Sequence, residues 1–201
     1  MQGSLKPPER PGNQPHCRWP GTAKALALFV LMSFLILTAC SNSPRRTTGT
    51  VLNDQTLEYD VISAIRSHPN FSEADHIKVE VHHGVVLLAG ETVSEANRDL
   101  ATKLAEESRL TERVVNDLKV GERAGFGGKL DNSWLTNKVN SRLLTKNPVS
   151  GNDVSRIKVV SSQNTVYLMG MVTHEEGDAV ADVVRNIRGV ERVVKIFDYV
   201  D

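Results

Sequence analysis

Apolar and polar positions along this 201-residue chain follow one pattern twice. Leu57, Val61 and Ile65 recur at four-residue spacing, the stripe of an amphipathic helix, and Pro69 ends it. Leu135, Val139 and Leu143 repeat the stripe, and Pro148 ends that one. Ile77-Lys78-Val79 is then matched by Ile157-Lys158-Val159, and Gly84-Val85-Val86-Leu87-Leu88-Ala89-Gly90 by Asn164-Thr165-Val166-Tyr167-Leu168-Met169-Gly170. Each set predicts two strands joined by a tight turn, at His83-Gly84 or Gln163-Asn164. A second helix follows, carried by Leu100, Ala101, Leu104 and Ala105 in one copy and by Val180, Val183, Val184 and Ile187 in the other. Both copies then read Glu-Arg-Val-Val, from Glu112 and from Glu191, and run on as a strand to Val120 or Val200.

The offset between copies stays between 78 and 80 residues, too long a period in too few copies for a solenoid. The expected fold class is therefore α+β, with two tandem modules of order αββαβ. Each module would pack a three-stranded mixed sheet on two helices, its third strand parallel to a neighbour through a right-handed crossover. The first module is expected over residues 54–121 and the second over 131–201, with a Gly-rich linker over 122–130.

Ahead of the repeats, Ala25 to Leu37 form an apolar run with one polar member, too short to span a bilayer comfortably. Lys24 precedes the run and small residues follow it, as in an export signal. Leu37-Thr38-Ala39-Cys40 resembles the bacterial lipobox, whose Cys sulfur receives a diacylglycerol and becomes the mature N-terminus. Residues 1–39 are thus expected to be a cleaved signal peptide, with translation starting downstream of Met1 because 24 residues precede the run. Residues 40–53 are expected to be the acylated, palmitate-bearing Cys40 and a polar tether. Ser41 after the Cys, where Asp would mark inner-membrane retention, favours the outer membrane. Loss of Cys17 and acylation of Cys40 would leave no free thiol for catalysis.

Two αββαβ units behind a lipobox resemble the dual BON-domain outer-membrane lipoproteins, the DolP (YraP) family. The similarity spans nearly the whole expected mature chain. It is closest at Asp131-Asn132-Ser133-Trp134-Leu135-Thr136-Asn137-Lys138-Val139 and Val166-Tyr167-Leu168-Met169-Gly170-Met171-Val172-Thr173. The resemblance implies a non-enzymatic envelope protein without cofactors, lipid-anchored and facing the periplasm. It also implies binding of anionic phospholipid, of the phosphatidylglycerol or cardiolipin type, through the second BON domain. Enrichment at division sites and support of envelope integrity belong to the same expectation.

Charge sharpens this picture. The whole chain balances 24 Lys+Arg against 24 Asp+Glu, which gives no support to nucleic-acid binding. The balance is a sum of unlike parts. Asp54 to Gly121 hold 7 basic and 13 acidic residues, a net −6, whereas Lys129 to Asp201 hold 10 and 9, a net +1. The contrast is sharpest on the first helix of each module. That helix bears Asp54, Glu58 and Asp60 against Arg66 in the first copy, whereas in the second Lys138, Arg142 and Lys146 fall at i, i+4 and i+8, one helical stripe led by Trp134. An outward Trp beside cations fits the headgroup zone of a membrane. The expected phospholipid-binding set is Trp134, Leu135, Lys138, Arg142 and Lys146. The bland counterpart is a solvated basic face with Trp134 packed on the linker, against Phe126.

Other signals are weak. Gly127-Gly128-Lys129 lacks the remaining residues of a phosphate-binding loop. His82-His83 reads as a solvated turn and not as a metal site, and Glu175-Glu176 as acids favouring a helix N-terminus. No nucleophile motif appears, and modules of this size leave little room for a deep cleft. The runner-up reading is a periplasmic chaperone or a partner of the outer-membrane assembly machinery, receiving a client on a sheet face with Tyr167, Met169 and Met171.

Overall fold

The two helical stripes, the two hairpins and the two closing strands all form, and they form two small α/β sandwiches that share a face. The computed structural model describes residues 47–121 and 127–200, giving the backbone alone for 127–132 and Asn152. Helix α1 (Thr48–Ser67) leads into β1 (His76–His82) and β2 (Val85–Thr92), then α2 (Glu95–Glu106) and β3 (Arg113–Val120). The second module repeats the order with α3 (Gly127–Lys146), β4 (Ile157–Ser162), β5 (Thr165–Val172), α4 (His174–Arg185) and β6 (Arg192–Tyr199). In each sheet the middle strand pairs antiparallel with the first and parallel with the third. All of these elements belong to one compact unit.

Two boundaries differ from the sequence expectation. Helix α1 takes in residues 48–53, expected to be tether, because the Thr47 hydroxyl caps it by accepting from the Thr50 N–H at 3.2 Å. Helix α3 begins at Gly127, inside the expected 122–130 linker. The expectations on the signal peptide, Cys40 and the tether up to Arg46 lie outside the described residues, as does Phe126.

Both hairpin turns place two successive residues at positive φ, His83 (50°) with Gly84 (70°) and Gln163 (47°) with Asn164 (59°). This double left-handed turn matches the twist of two-residue hairpins. In the first module the turn is also gripped from α1: the Asp54 carboxylate accepts from the N–H groups of His83 and Gly84, both at 2.9 Å. His82 is consequently not solvated but buried at 3% exposure, its ring 4.8 Å from that of His83.

Each sheet buries one face under its own helices. In the first module Leu57, Val61 and Ile65 of α1 and Ala101 and Ala105 of α2 meet Val79, Val81, Val86 and Leu88. In the second, Leu135, Val139 and Leu143 with Val180 and Val184 meet Val166, Leu168 and Val172.

The other faces pack on each other. Val85, Leu87 and Ala89 of the first sheet form one buried cluster with Val160, Tyr167, Met169 and Ile196 of the second. The order is therefore helices, sheet, sheet, helices. Polar groups ring the seam: Lys158 Nζ lies 2.7 Å from Glu80 and 3.5 Å from Glu58, and Asp117 accepts from both the Tyr167 hydroxyl and Arg192. Gln163 donates to Glu91, and Arg113 lies 3.7 Å from Asp198. The sheet face offered in the runner-up reading is thus occupied: Tyr167 and Met169 are fully buried and Met171 half-buried. Apolar residues on both sheets leave water together, which is the physical reason the face is not open to a client.

Candidate functional site

Helix α3 is oriented by Leu135, Val139 and Leu143, all buried in the second module's core. Leu135, at 2% exposure, is therefore a core residue and drops out of the expected lipid-contacting set. Its burial turns the preceding residue outward: Trp134 is 56% exposed.

Trp134 is braced rather than loose. Lys138, one turn on, lays its Nζ 4.4 Å from the centre of the indole, a cation–π contact of about 0.5–1 kcal/mol at such a surface. The same Nζ donates to the Arg188 carbonyl at 2.6 Å, in the turn between α4 and β6. The indole reaches that turn too, since Cζ3 lies 3.5 Å from where a Cβ on Gly189 would stand. Arg142 and Lys146 continue the stripe as exposed residues, while Lys138 is half-buried. The structure thus brings Trp134, Lys138, Arg142 and Lys146 onto one side of α3.

Leu144 was missed from sequence, although it is 67% exposed on the same helix. At 100° per residue it lies 80° from Trp134, on the side of that outward line away from Lys138. The signal was available: Leu143 and Leu144 are adjacent, so they cannot both face the core.

Helix α1 of the first module also exposes Leu52 and Tyr59, but Arg66 is its one cation and no basic stripe accompanies them. Thr56 stands where Trp134 does and Asp60 where Lys138 does. Glu58 turns to the seam, accepting from the Val81 N–H at 3.3 Å. A cleft of about 660 Å³ beside Ile65 and Phe71 opens on Asp75. Burial pushes the Asp75 carboxyl up, but hydrogen bonds from Thr92, Ser72, Val93 and Asn97 outweigh it and hold the group below its ordinary range. An acid so held keeps its charge and braces a loop. Among the described residues no group of three side chains could hold a metal ion, and no helix is long and apolar enough to cross a membrane. His174 stacks on Tyr199 at 3.8 Å between ring centres.

Comparison with known proteins agrees with this architecture. The BON domain family matches residues 53–122 and again 131–200. The chain is 35% identical over 156 residues to "Outer membrane lipoprotein DolP" of Haemophilus influenzae, covering 78% of this chain and 79% of that protein. It is 32% identical over 155 residues to the "21 kDa hemolysin" of Actinobacillus pleuropneumoniae, covering 77% and 78%. To "Osmotically-inducible protein Y" of Escherichia coli it is 25% identical over 158 residues, covering 76% and 75%. Two modules of the same fold, each matched as a BON domain, with this identity running across both, lead to one conclusion: the chain belongs to the BON-domain family, as a dual-BON protein of the DolP (YraP) type.

Proposed function

We propose that this protein is an outer-membrane lipoprotein, anchored through acylated Cys40 and facing the periplasm, whose second BON domain binds anionic phospholipid. In this reading it has no enzymatic activity and supports envelope integrity at division sites. The observation that carries the lipid reading is the side of α3 where an exposed Trp134 lies under Lys138, with Arg142 and Lys146 following and no carboxylate paired to any of them among the described residues. The similarity to the outer membrane lipoprotein of Haemophilus influenzae supports the compartment.

An indole gains most at the headgroup level, where its ring leaves water while its N–H stays hydrated. Each cation near an anionic surface adds about 1 kcal/mol, an attraction that salt screens within a Debye length. A partner role in outer-membrane assembly would need a surface other than the Tyr167–Met169 face, which the first module fills.

Vesicle co-sedimentation of residues 41–201 tests the proposal. Phosphatidylglycerol vesicles should retain the protein at low salt, phosphatidylcholine vesicles should not, and added salt should release it. Trp134→Ala and Lys138→Glu should each weaken retention by about tenfold or more, given roughly 1.4 kcal/mol per decade. Equal retention of both variants would remove α3 from the function.

A further inference from the structure

The second module spends most of its cations on carboxylates. Arg156 pairs with Glu176 at 3.0 Å, Lys158 with Glu80, Arg185 with Asp182 at 2.8 Å, Arg192 with Asp117, and Lys195 with Asp178 at 2.8 Å. Among the described residues of this module, the cations with no carboxylate partner are Lys138, Arg142, Lys146 and Arg188. Three of them are the α3 stripe. The fourth belongs to a different element, far along the chain, yet the fold sets it beside the stripe.

The contact is direct at the backbone. The Arg188 carbonyl receives the Lys138 ammonium at 2.6 Å, so the start of the Arg188 side chain stands within a few ångström of that charge. Gly189, next in the turn at φ +104°, stands against the Trp134 indole. Side chains rarely adopt that backbone conformation, and glycine does so without strain. The turn therefore does two things for α3. It seats the indole and the Lys138 ammonium in one arrangement, and it carries the exposed residue Arg188. A cation rooted this close to another can bring its charge to the same anion. With no carboxylate to offset them, their proximity suits an anion that can take donors from both.

We propose that the α4–β6 turn is the second element of the lipid site, with Arg188 binding the headgroup phosphate alongside Lys138, and with the Arg188 carbonyl and Gly189 positioning Trp134 and Lys138. The inference rests on the reading of α3 as the membrane-contacting helix. The ligand is the phosphate of a lipid in a bilayer, because the indole beside it gains nothing from a free ion.

The test compares Arg188→Gln with Arg185→Gln, which removes an equal charge from a neighbouring residue already paired with Asp182. On phosphatidylglycerol vesicles at low salt, Arg188→Gln should bind about fivefold more weakly than the parent, from one cation at an anionic surface. Arg185→Gln should lose less than twofold, and Arg188→Lys should restore binding to within twofold. Inorganic phosphate should compete no better than chloride at equal ionic strength. Residues 41–201 hold Trp134 as their single tryptophan, so its emission reports the bracing. Gly189→Val should shift that emission to longer wavelength in the vesicle-free protein while far-UV circular dichroism stays unchanged.

Parent-like binding by Arg188→Gln, with Trp134→Ala and Lys138→Glu still defective, overturns the turn's role and leaves the α3 reading intact. Equal losses in Arg188→Gln and Arg185→Gln overturn it as well, reducing the effect to net charge. Specific competition by inorganic phosphate overturns the bilayer as ligand. Unshifted emission in Gly189→Val removes the bracing. Absence of binding by the parent protein removes the α3 reading and this inference together.

Discussion

Glu176 shows how much one side chain can organise. One of its oxygens accepts from the Ser150 N–H at 2.9 Å and from Arg156 at 3.0 Å, and the other accepts from the Thr173 N–H at 3.1 Å. Thr173 returns the bond by accepting from the Glu176 N–H, which closes a capping box at the start of α4. Burial pushes this carboxyl up, but the Thr173 and Ser150 N–H groups and the Arg156 guanidinium outweigh it, so the group sits below its ordinary 4.5. A depressed folded value means that its stabilisation is complete above pH 4.5 and is lost as pH falls towards the folded value. Glu176→Gln should therefore flatten the acid side of the stability–pH curve, read from thermal midpoints between pH 3 and 7. Arg156→Met should cost about 3 kcal/mol at neutral pH by leaving a buried acid short of its partner, measured by urea titration. The pair Glu175-Glu176 was legible as a helix-start signal. Its buried partner was not, because an Arg just before a strand reads as solvated until the fold closes over it.

At the scale of the element, spacing told most of the story for α3. Leu135, Val139 and Leu143 fall four apart and all are buried, and the cations fall on a separate line. What spacing concealed was which cation is held in place and which second apolar residue is exposed: Lys138 is tied to the Arg188 carbonyl, and Leu144 stands out from the helix as Trp134 does. The two leucines should separate function from stability. Leu144→Glu should abolish retention on phosphatidylglycerol vesicles while leaving the thermal midpoint within a degree or two. Leu135→Ala should lose about 2–5 kcal/mol of stability through the cavity it leaves in the core. A large stability loss in Leu144→Glu would mean that this leucine packs inward. The helix starts were misjudged for a local reason: Ser, Thr, Asn and Gly are typical of loops and of helix beginnings alike.

For the whole molecule, the decisive feature is the seam between the sheets. The runs Val85–Ala89 and Val166–Met169 are continuously apolar, without the alternation of a half-exposed strand, and such runs mark strands covered on both faces. The first face goes to the module's own helices and the second to the other module. Burial therefore couples the two modules, and calorimetry of residues 41–201 should show one cooperative transition. Leu87→Asp, which sets a carboxylate in the middle of the seam, should split that transition in two or lower it steeply. Two independent transitions in the parent protein would contradict the coupling. The seam also accounts for charge: Glu58, Glu80 and Asp117 of the acidic module meet Lys158 and Arg192 of the other, so part of its negative charge binds the modules together.

The repeat, the αββαβ order, the hairpin turns and the core stripe of each first helix were determined by sequence, because periodicity and turn chemistry act over a few residues. The pairing of Lys138 with Arg188, the burial of His82, the Arg156–Glu176 pair and the closed face at Tyr167 and Met169 were decided by tertiary structure alone. Each joins residues distant along the chain. Their contact depends on how the layers stack, and the apolar pattern of any one segment is compatible with more than one stacking until both faces of every sheet have been buried.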